Sequence, residues 1–514
     1  MTITPLDSDL AYSPTGRKLQ AFGGLGERWT GLLPALLVIC WTGVFWNGPL
    51  INDVGWQMWI GRRMSEGASL YRDILEINPP LWFWLGEGLV RAGAATGNAP
   101  SSLLVALIGG TALAALQLVR LAGVPRLDRL LLSLGLVLTL FLTAPFALGQ
   151  REQYVLVSTL PYVVLLAARM EGRHVPTGAV AAIALLAASG IALKQYFLLL
   201  PALLELWLIV RRRTVSIRLE HGVLVLAGAA YLAAILLLTP DYLRVMVPLI
   251  RTAYGGFDMP LIALIGNPAI LVVGAASGLL LLGRPGALGQ AAGIAAAAFA
   301  AAFIVQAKNF PYQAIPALGF AIGSALLAAR RSEGRRPALL LLIVIACAAI
   351  PWWGGGGRSD QRVAEATADL PRGSAIMVLT SSGAAAWPLV EERGFTWHSP
   401  HMMLWMLAPY WQDELTGAPD RKRKQLADAV RLQVARELAC QPPARLLVDR
   451  RYDALLPGLG VLGWFRREPA FAAALTAYER GPDSGHVEVW KRRPDTPAAC
   501  PAIRASVPLP APRP

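Results

Sequence analysis

Charge is scarce in this chain of 514 residues: Asp, Glu, Lys and Arg make up 16% of it, whereas a soluble domain usually carries about 25%. The deficit lies in the first 350 residues, where apolar runs of about 18 residues or more recur. That excludes a soluble enzyme over this stretch and points to a polytopic membrane protein. Acidic residues are fewer than basic ones, 33 against 47, leaving a net charge of +14. Much of the excess sits in short clusters between apolar runs, the pattern of the positive-inside rule. The rest is spread over the C-terminal segment without interleaved aromatics, so the partner it implies is the lipid bilayer, not nucleic acid. Cysteine is rare too. Cys40 and Cys347 lie in apolar runs as packing residues. Cys440 and Cys500 lie in polar sequence, where a disulfide is permitted outside the cytoplasm but is not established by spacing. There is no Walker loop, dinucleotide glycine fingerprint, CxxC, HExxH or nucleophile elbow. His398 and His401 flank Pro400 with no third ligand in view, and either form a weak metal signal or line the cleft between a soluble domain and the membrane. Trp387, Trp397, Trp405 and Trp411 nearby fit core packing or a sugar platform.

What is present is a series of about eleven candidate spans: 30–47, 101–122, 128–148, 152–169, 177–193, 195–210, 221–239, 261–283, 288–306, 312–330 and 337–352. The apolar stretch 80–95 carries Glu87 and Arg91 and reads as an interfacial or partly inserted helix. Arg120, Arg126 and Arg129, then Arg169 and Arg173, then Arg211 to Arg213 with Arg218, and Arg330, Arg331, Arg335 and Arg336 read as cytoplasmic. Segments 48–100, 149–152, 193–196, 240–260 and 307–311, and everything after 352, then face outward. Residues 1–28 are polar and read as a cytoplasmic segment, with the first span as a signal anchor. The transmembrane part is expected over 29–352. After Trp353 and a run of four glycines the pattern changes. Ser374–Thr380 and Ala444–Asp449 read as strands, Asp420–Cys440 and Glu468–Glu479 as helices, and His486–Lys491 as an edge strand. An α/β extracytoplasmic domain is therefore expected over 353–500, with a Pro-rich disordered tail at 501–514.

Ionisable groups at membrane depth are costly and mark sites, and here they gather on the outward loops. Asp53 stands just past the first span, followed by Trp56, Met58 and Trp59, which suggest a short helix lying on the membrane surface. Two roles fit Asp53: the base that takes a proton from an acceptor hydroxyl, or the N-cap of that helix. Further on come Tyr71, Asp73, Glu76, Asn78, Pro79, Pro80 and Leu81. Gln150, Arg151 and Glu152 occupy a tight turn between two spans. Arg151 fits a two-pronged phosphate contact and Glu152 an acceptor or metal contact, or the pair simply holds the turn. Lys194 beside Tyr196 and Lys308 before Tyr312 interrupt apolar runs, and either snorkel to headgroups or meet a phosphate. Arg244, Arg251, Tyr254 and Asp258 are candidates for a lid.

An acidic residue after the first span, a surface helix, Gly67-x-x-x-Tyr71-x-Asp73, a charged residue, and Pro79-Pro80-Leu81 before the next apolar run resemble the GT-C glycosyltransferases. The resemblance is good over about 48–100 and is weaker, though compatible in layout, over the multi-span body and the C-terminal domain. It is nearest to the branch of protein O-mannosyltransferases and lipid A aminoarabinose transferases. It implies a GT-C-like polytopic fold and an inverting transfer of a sugar from a polyprenyl-phosphate donor to a glycan, lipid or protein acceptor outside the membrane. It also implies a multi-pass place in a bacterial inner membrane with the active site on the periplasmic side. Asp53 matches the family's base, Glu76 and the run from Asn78 match the segment shaping the site, and Glu152 lies near a second acidic position. A divalent cation stays open as cofactor. Asn78 departs from the pattern, since relatives often carry Lys there, so phosphate contacts must come from elsewhere. A transporter or flippase for a lipid-linked precursor is the alternative, and a structural subunit a third.

Overall fold

The computed structural model describes residues 32–283, 286–329, 359–417, 420–494, 496–497 and 500. The expected segment 1–28, the span 337–352, the glycine joint and the tail 501–514 lie outside the described residues. The chain is a polytopic α-helical membrane protein with an α/β C-terminal unit. Its helices are α1 (Leu32–Val44), α2 (Asn52–Ser65), α3 (Leu81–Thr96), α4 (Pro100–Leu121), α5 (Arg126–Ala147), α6 (Arg151–Met170) and α7 (Thr177–Ile191), followed by α8 (Leu199–Arg212), α9 (Leu219–Leu238), α10 (Val247–Ala253), α11 (Leu261–Ile265), α12 (Pro268–Gly283), α13 (Ala287–Gln306) and α14 (Ile315–Ala329). Six of the described segments are long and apolar enough to cross a membrane by themselves. Each expected span from 30–47 to 312–330 has a helical counterpart. The expected 261–283 span is broken: α11 and α12 are separate because Asn267 caps α12, its Oδ1 accepting from the Ala269 amide at 2.9 Å.

Helix α6 is the central post, with 89% of its apolar stretch buried, whereas α9 buries 6%. Small residues allow the close crossings that lipid-embedded helices rely on. A Cβ on Gly135 of α5 would stand 2.8 Å from the Cα of Gly323 in α14. The stretch 80–95 is α3, too short to count among the spans, and it packs along α2. A Cβ on Gly61 would meet the Gly86 carbonyl at 2.7 Å.

The C-terminal unit holds a four-stranded sheet in the order β1-β2-β4-β3, with β1 Ile376–Leu379, β2 Arg445–Asp449, β3 Tyr478–Arg480 and β4 Val487–Arg492. β1 and β2 are parallel and the other pairs antiparallel. The strand expected at the edge, β4, is interior. β3, three residues long, covers it and emerges from sequence that reads as helical; the helix there stops at Leu475. Helix α15 (Arg421–Cys440) follows the expected pattern and starts at Asp420, whose side chain caps it. Cys440 at its end is bonded to Cys500.

Two apolar cores meet at α2. Ile51, Val54 and Met58 belong to the membrane bundle. Trp56, Trp59 and Ile60 belong to a second core shared with Tyr71, Ile74, Tyr242, Met246 and the strands of the C-terminal unit. So α2 does not lie on a lipid surface as its sequence suggests. It is clamped between two protein layers, because its indoles find other rings to pack against.

Candidate active site

The site is built from the ends of helices. α2 starts after Ile51 with no side-chain cap, so Asp53 is in the first turn and its carboxylate is not used up as an N-cap. Its own amide is satisfied by Asn52 Oδ1 at 2.8 Å. The Asp53 Oδ2 accepts from Gln150 Nε2 at 3.1 Å. Gln150 reaches it from the turn between α5 and α6. Gly149 makes that turn with φ +78°, a left-handed conformation suited to glycine, and a Cβ there would press on Leu104 at 3.0 Å.

Next in the chain, Arg151 and Glu152 open α6 and both are buried. No ion pair joins them. Glu152 Oε1 instead accepts from Lys194 Nζ at 2.7 Å, and Lys194 also donates to Gln306 Oε1 at 3.1 Å. Lys194 stands 5.6 Å from the Tyr312 ring centre and is 6% exposed, so it is fixed inside the protein and does not snorkel. Glu152 Oε2 and the Nε and Nη1 of Arg151 have no protein partner. The charges acting on the Arg151 guanidinium are those of Glu152, Asp53 and Glu76, with the Tyr312 phenol. A buried guanidinium without partners costs several kcal/mol, and its planar fork has the shape that pairs with a carboxylate or phosphate.

Glu76 is the most completely bonded acid here. Its Oε2 accepts from Trp56 Nε1 at 2.7 Å, and its Oε1 from the Asn78 amide at 2.9 Å and Asn78 Nδ2 at 2.6 Å. Asn78 thus binds this carboxylate with a neutral amide. The Asn78 carbonyl accepts from the Tyr71 hydroxyl at 2.6 Å. Tyr71 has φ +73°, rare for a residue with a side chain. Burial and the nearby Glu76 push its phenol well above the usual tyrosine range, so it remains a donor.

Lys308 departs from its expected place. It donates to the Tyr254 carbonyl at 2.7 Å, pairs with Asp258 and lies 4.0 Å from the Tyr254 ring centre. It ties the 254–258 segment to the end of α13, supported by the Met259 amide on the Ala307 carbonyl at 2.7 Å. The Tyr254 phenol, in contrast, feels Asp53, Glu76 and Arg151, and burial pushes it up. Tyr312 feels Asp53, Glu152 and Arg151. The fields of Asp53, Glu76, Glu152 and Tyr312 thus reach Arg151, with Gln150 bonded to Asp53, Lys194 to Glu152, Asn78 to Glu76 and Tyr71 to Asn78. Tyr254, Gln306 and Trp56 join them. Arg244 and Arg251 are exposed and stay outside. Among the described residues no three acidic, histidine or cysteine side chains gather as a metal site. Asp53 and the free oxygen of Glu152 are the carboxylates a cation would meet here. His401 lies away from these residues, inside the C-terminal unit, with its Nε2 3.4 Å from Gln433 Oε1; the cleft that His398 and His401 line is in that unit, between β1 and α15, not between the unit and the membrane.

No protein-family model and no curated protein matches the chain by sequence. Solved structures do match. ArnT from Cupriavidus metallidurans bound to undecaprenyl phosphate superposes with a TM-score of 0.53 at 13% identity, over 91% of this chain and 98% of that one. Its apo state gives a TM-score of 0.50 at 13% identity, over 88% and 97%. The likeness runs through both the membrane bundle and the C-terminal unit, so the chain shares the polytopic fold of that protein.

Proposed function

We propose that the chain is an inverting glycosyltransferase that takes a sugar from a polyprenyl-phosphate donor. The buried Arg151 guanidinium, with two nitrogens free and Asp53 within reach of its field, carries this reading. In the reaction an acceptor hydroxyl attacks the anomeric carbon from the face opposite the phosphate. Asp53 takes the hydroxyl proton, the glycosyl C–O bond to phosphate breaks, and the polyprenyl phosphate leaves with the electron pair. Arg151 binds the departing phosphate, and Lys194 supplies positive charge behind it. Gln150 orients Asp53. Glu76, already holding three donors, shapes the loop and does not bind ligand. Lys308 anchors the 254–258 segment, a role its partners favour over a phosphate contact. The solved relative that binds undecaprenyl phosphate supports the lipid class of the donor. The reading places the protein in a bacterial inner membrane with this site and the C-terminal unit on the periplasmic side. The acceptor is a cell-envelope glycan, lipid or protein. A flippase would keep polar groups near the bilayer midplane in paired broken helices, whereas Asp53, Arg151, Glu152 and Lys194 stand at or beside helix ends.

The test is Asp53→Asn in purified protein supplied with a polyprenyl-phosphate sugar. Loss of a positioned base lowers transfer by about 100- to 10,000-fold, with the melting temperature unchanged. Wild-type turnover in that variant overturns the assignment.

A further inference from the structure

The C-terminal unit reaches the candidate site through a stack of indoles. Trp387 is fully buried, and its Nε1 donates to the Met402 carbonyl at 3.2 Å, which fixes the ring. It meets Trp56 edge-on at 5.1 Å and Trp59 at 5.9 Å, while Trp56 and Trp59 stack face to face at 4.6 Å. Gly55 allows the approach, since a Cβ there would stand 3.0 Å from the Pro388 Cβ. On its other side Trp56 donates to Glu76 Oε2, and Glu76 holds Asn78, whose carbonyl holds Tyr71. A second tether runs beside the stack, the Leu75 amide bonded to the Pro400 carbonyl at 2.8 Å.

We infer that Trp56 is a positioning residue of the proposed transferase site and that Trp387, from the C-terminal unit, acts through it. The indole of Trp56 holds the Glu76 carboxylate. Glu76 then fixes the 71–78 turn against the same helix that carries Asp53. Trp387 removes the freedom of the Trp56 ring. A hydrogen bond to a charged acceptor that is lost without replacement corresponds to about a 10- to 100-fold effect. Edge-on aromatic contacts add a smaller share. The role in catalysis rests on the transferase reading; the ordering of the turn does not.

The experiment uses the full chain in lipid nanodiscs with two readouts. Trp56→Phe keeps an aromatic ring in the stack and removes the donor together with the five-membered ring that carries it. It is expected to raise amide hydrogen exchange over 71–78 at least tenfold, leaving β1 and α15 unchanged. In turnover it lowers kcat by about 10- to 100-fold with the donor KM within twofold, a split that a general loss of fold does not produce. Trp387→Ala, with Trp387→Phe as the milder variant, shifts both readouts in the same direction. The double variant Trp56→Phe/Trp387→Ala is no worse than Trp56→Phe alone, because the two act in series. Unchanged exchange at 71–78 in Trp56→Phe, or fully additive effects in the double variant, overturns the inference. Raised exchange together with full turnover by Asp53→Asn overturns the transferase reading and leaves the ordering role standing.

Discussion

Glu152 and Lys194 are both buried and bonded to each other, so each is tolerated only with the other. Removing one partner of such a pair strands a charge at a cost of about 3–5 kcal/mol, whereas replacing both with apolar residues is often neutral. Lys194→Met is therefore expected to lower the unfolding midpoint in detergent sharply, and Glu152→Leu/Lys194→Met to recover most of it without recovering transfer. Equal stability of the single and double variants would contradict this. Arg151→Lys keeps the charge but loses the planar fork; on the proposed reading, binding of a polyprenyl phosphate is expected to weaken about tenfold by thermal shift or native mass spectrometry. These charges were legible in the sequence because a charge at the end of an apolar run stands out. Gln306 was not, since one amide closing an Ala-rich helix has no signature. Lys308 was assigned to phosphate because nothing local announces that Asp258, fifty residues earlier, folds back onto it.

Among the elements, the described helices of the membrane part were legible from hydropathy alone. Their interruptions were not, because the break at Asn267 depends on a cap and the placement of β4 on a three-residue partner. The cleft between β1 and α15 carries its own pH dependence. Burial pushes the half-buried Glu437 carboxyl up from 4.5 to about 7, and pushes His401 down from 6.5 to about 4. Glu437 holds its proton longer in the folded state, so stability is lost as pH rises from 4.5 through about 7. His401 resists its proton, so stability is lost as pH falls from 6.5 through about 4. Between the two unfolded values the slopes oppose each other. From about pH 6.5 to 8 Glu437 contributes a loss of about 0.8 kcal/mol, against about 0.4 kcal/mol returned as the unfolded His401 gives up its proton. The fall in melting temperature from the lower to the higher of those pH values is expected to disappear in Glu437→Gln. An unchanged difference would mean that another group titrates.

At the scale of the molecule, the bond between Cys440 and Cys500 closes a loop over a sequence separation of 60 residues. A loop of that size is worth about 4 kcal/mol in chain entropy. Reduction is expected to lower the melting temperature of the C-terminal unit while leaving the membrane helices folded, as followed by hydrogen exchange. Such a bond also fits an oxidising compartment, in line with the proposed periplasmic face. An α/β part after the membrane helices was legible from the strand and helix patterns of residues 374–491. The shared core was not, because no local pattern tells which indole will cross from one layer to the other.

That shared core bears on engineering. With Val54 and Met58 in one core and Trp56 and Trp59 in the other, the seam between the two parts passes along α2 and not through the linker. A chimera that exchanges C-terminal units at the linker would pair Trp56 with a foreign corner in place of Trp387. A graft that carries residues 50–80 together with the C-terminal unit would move the whole contact as one cassette. Transplants of substrate preference between proteins of this fold are therefore expected to succeed along the second cut and to fail along the first.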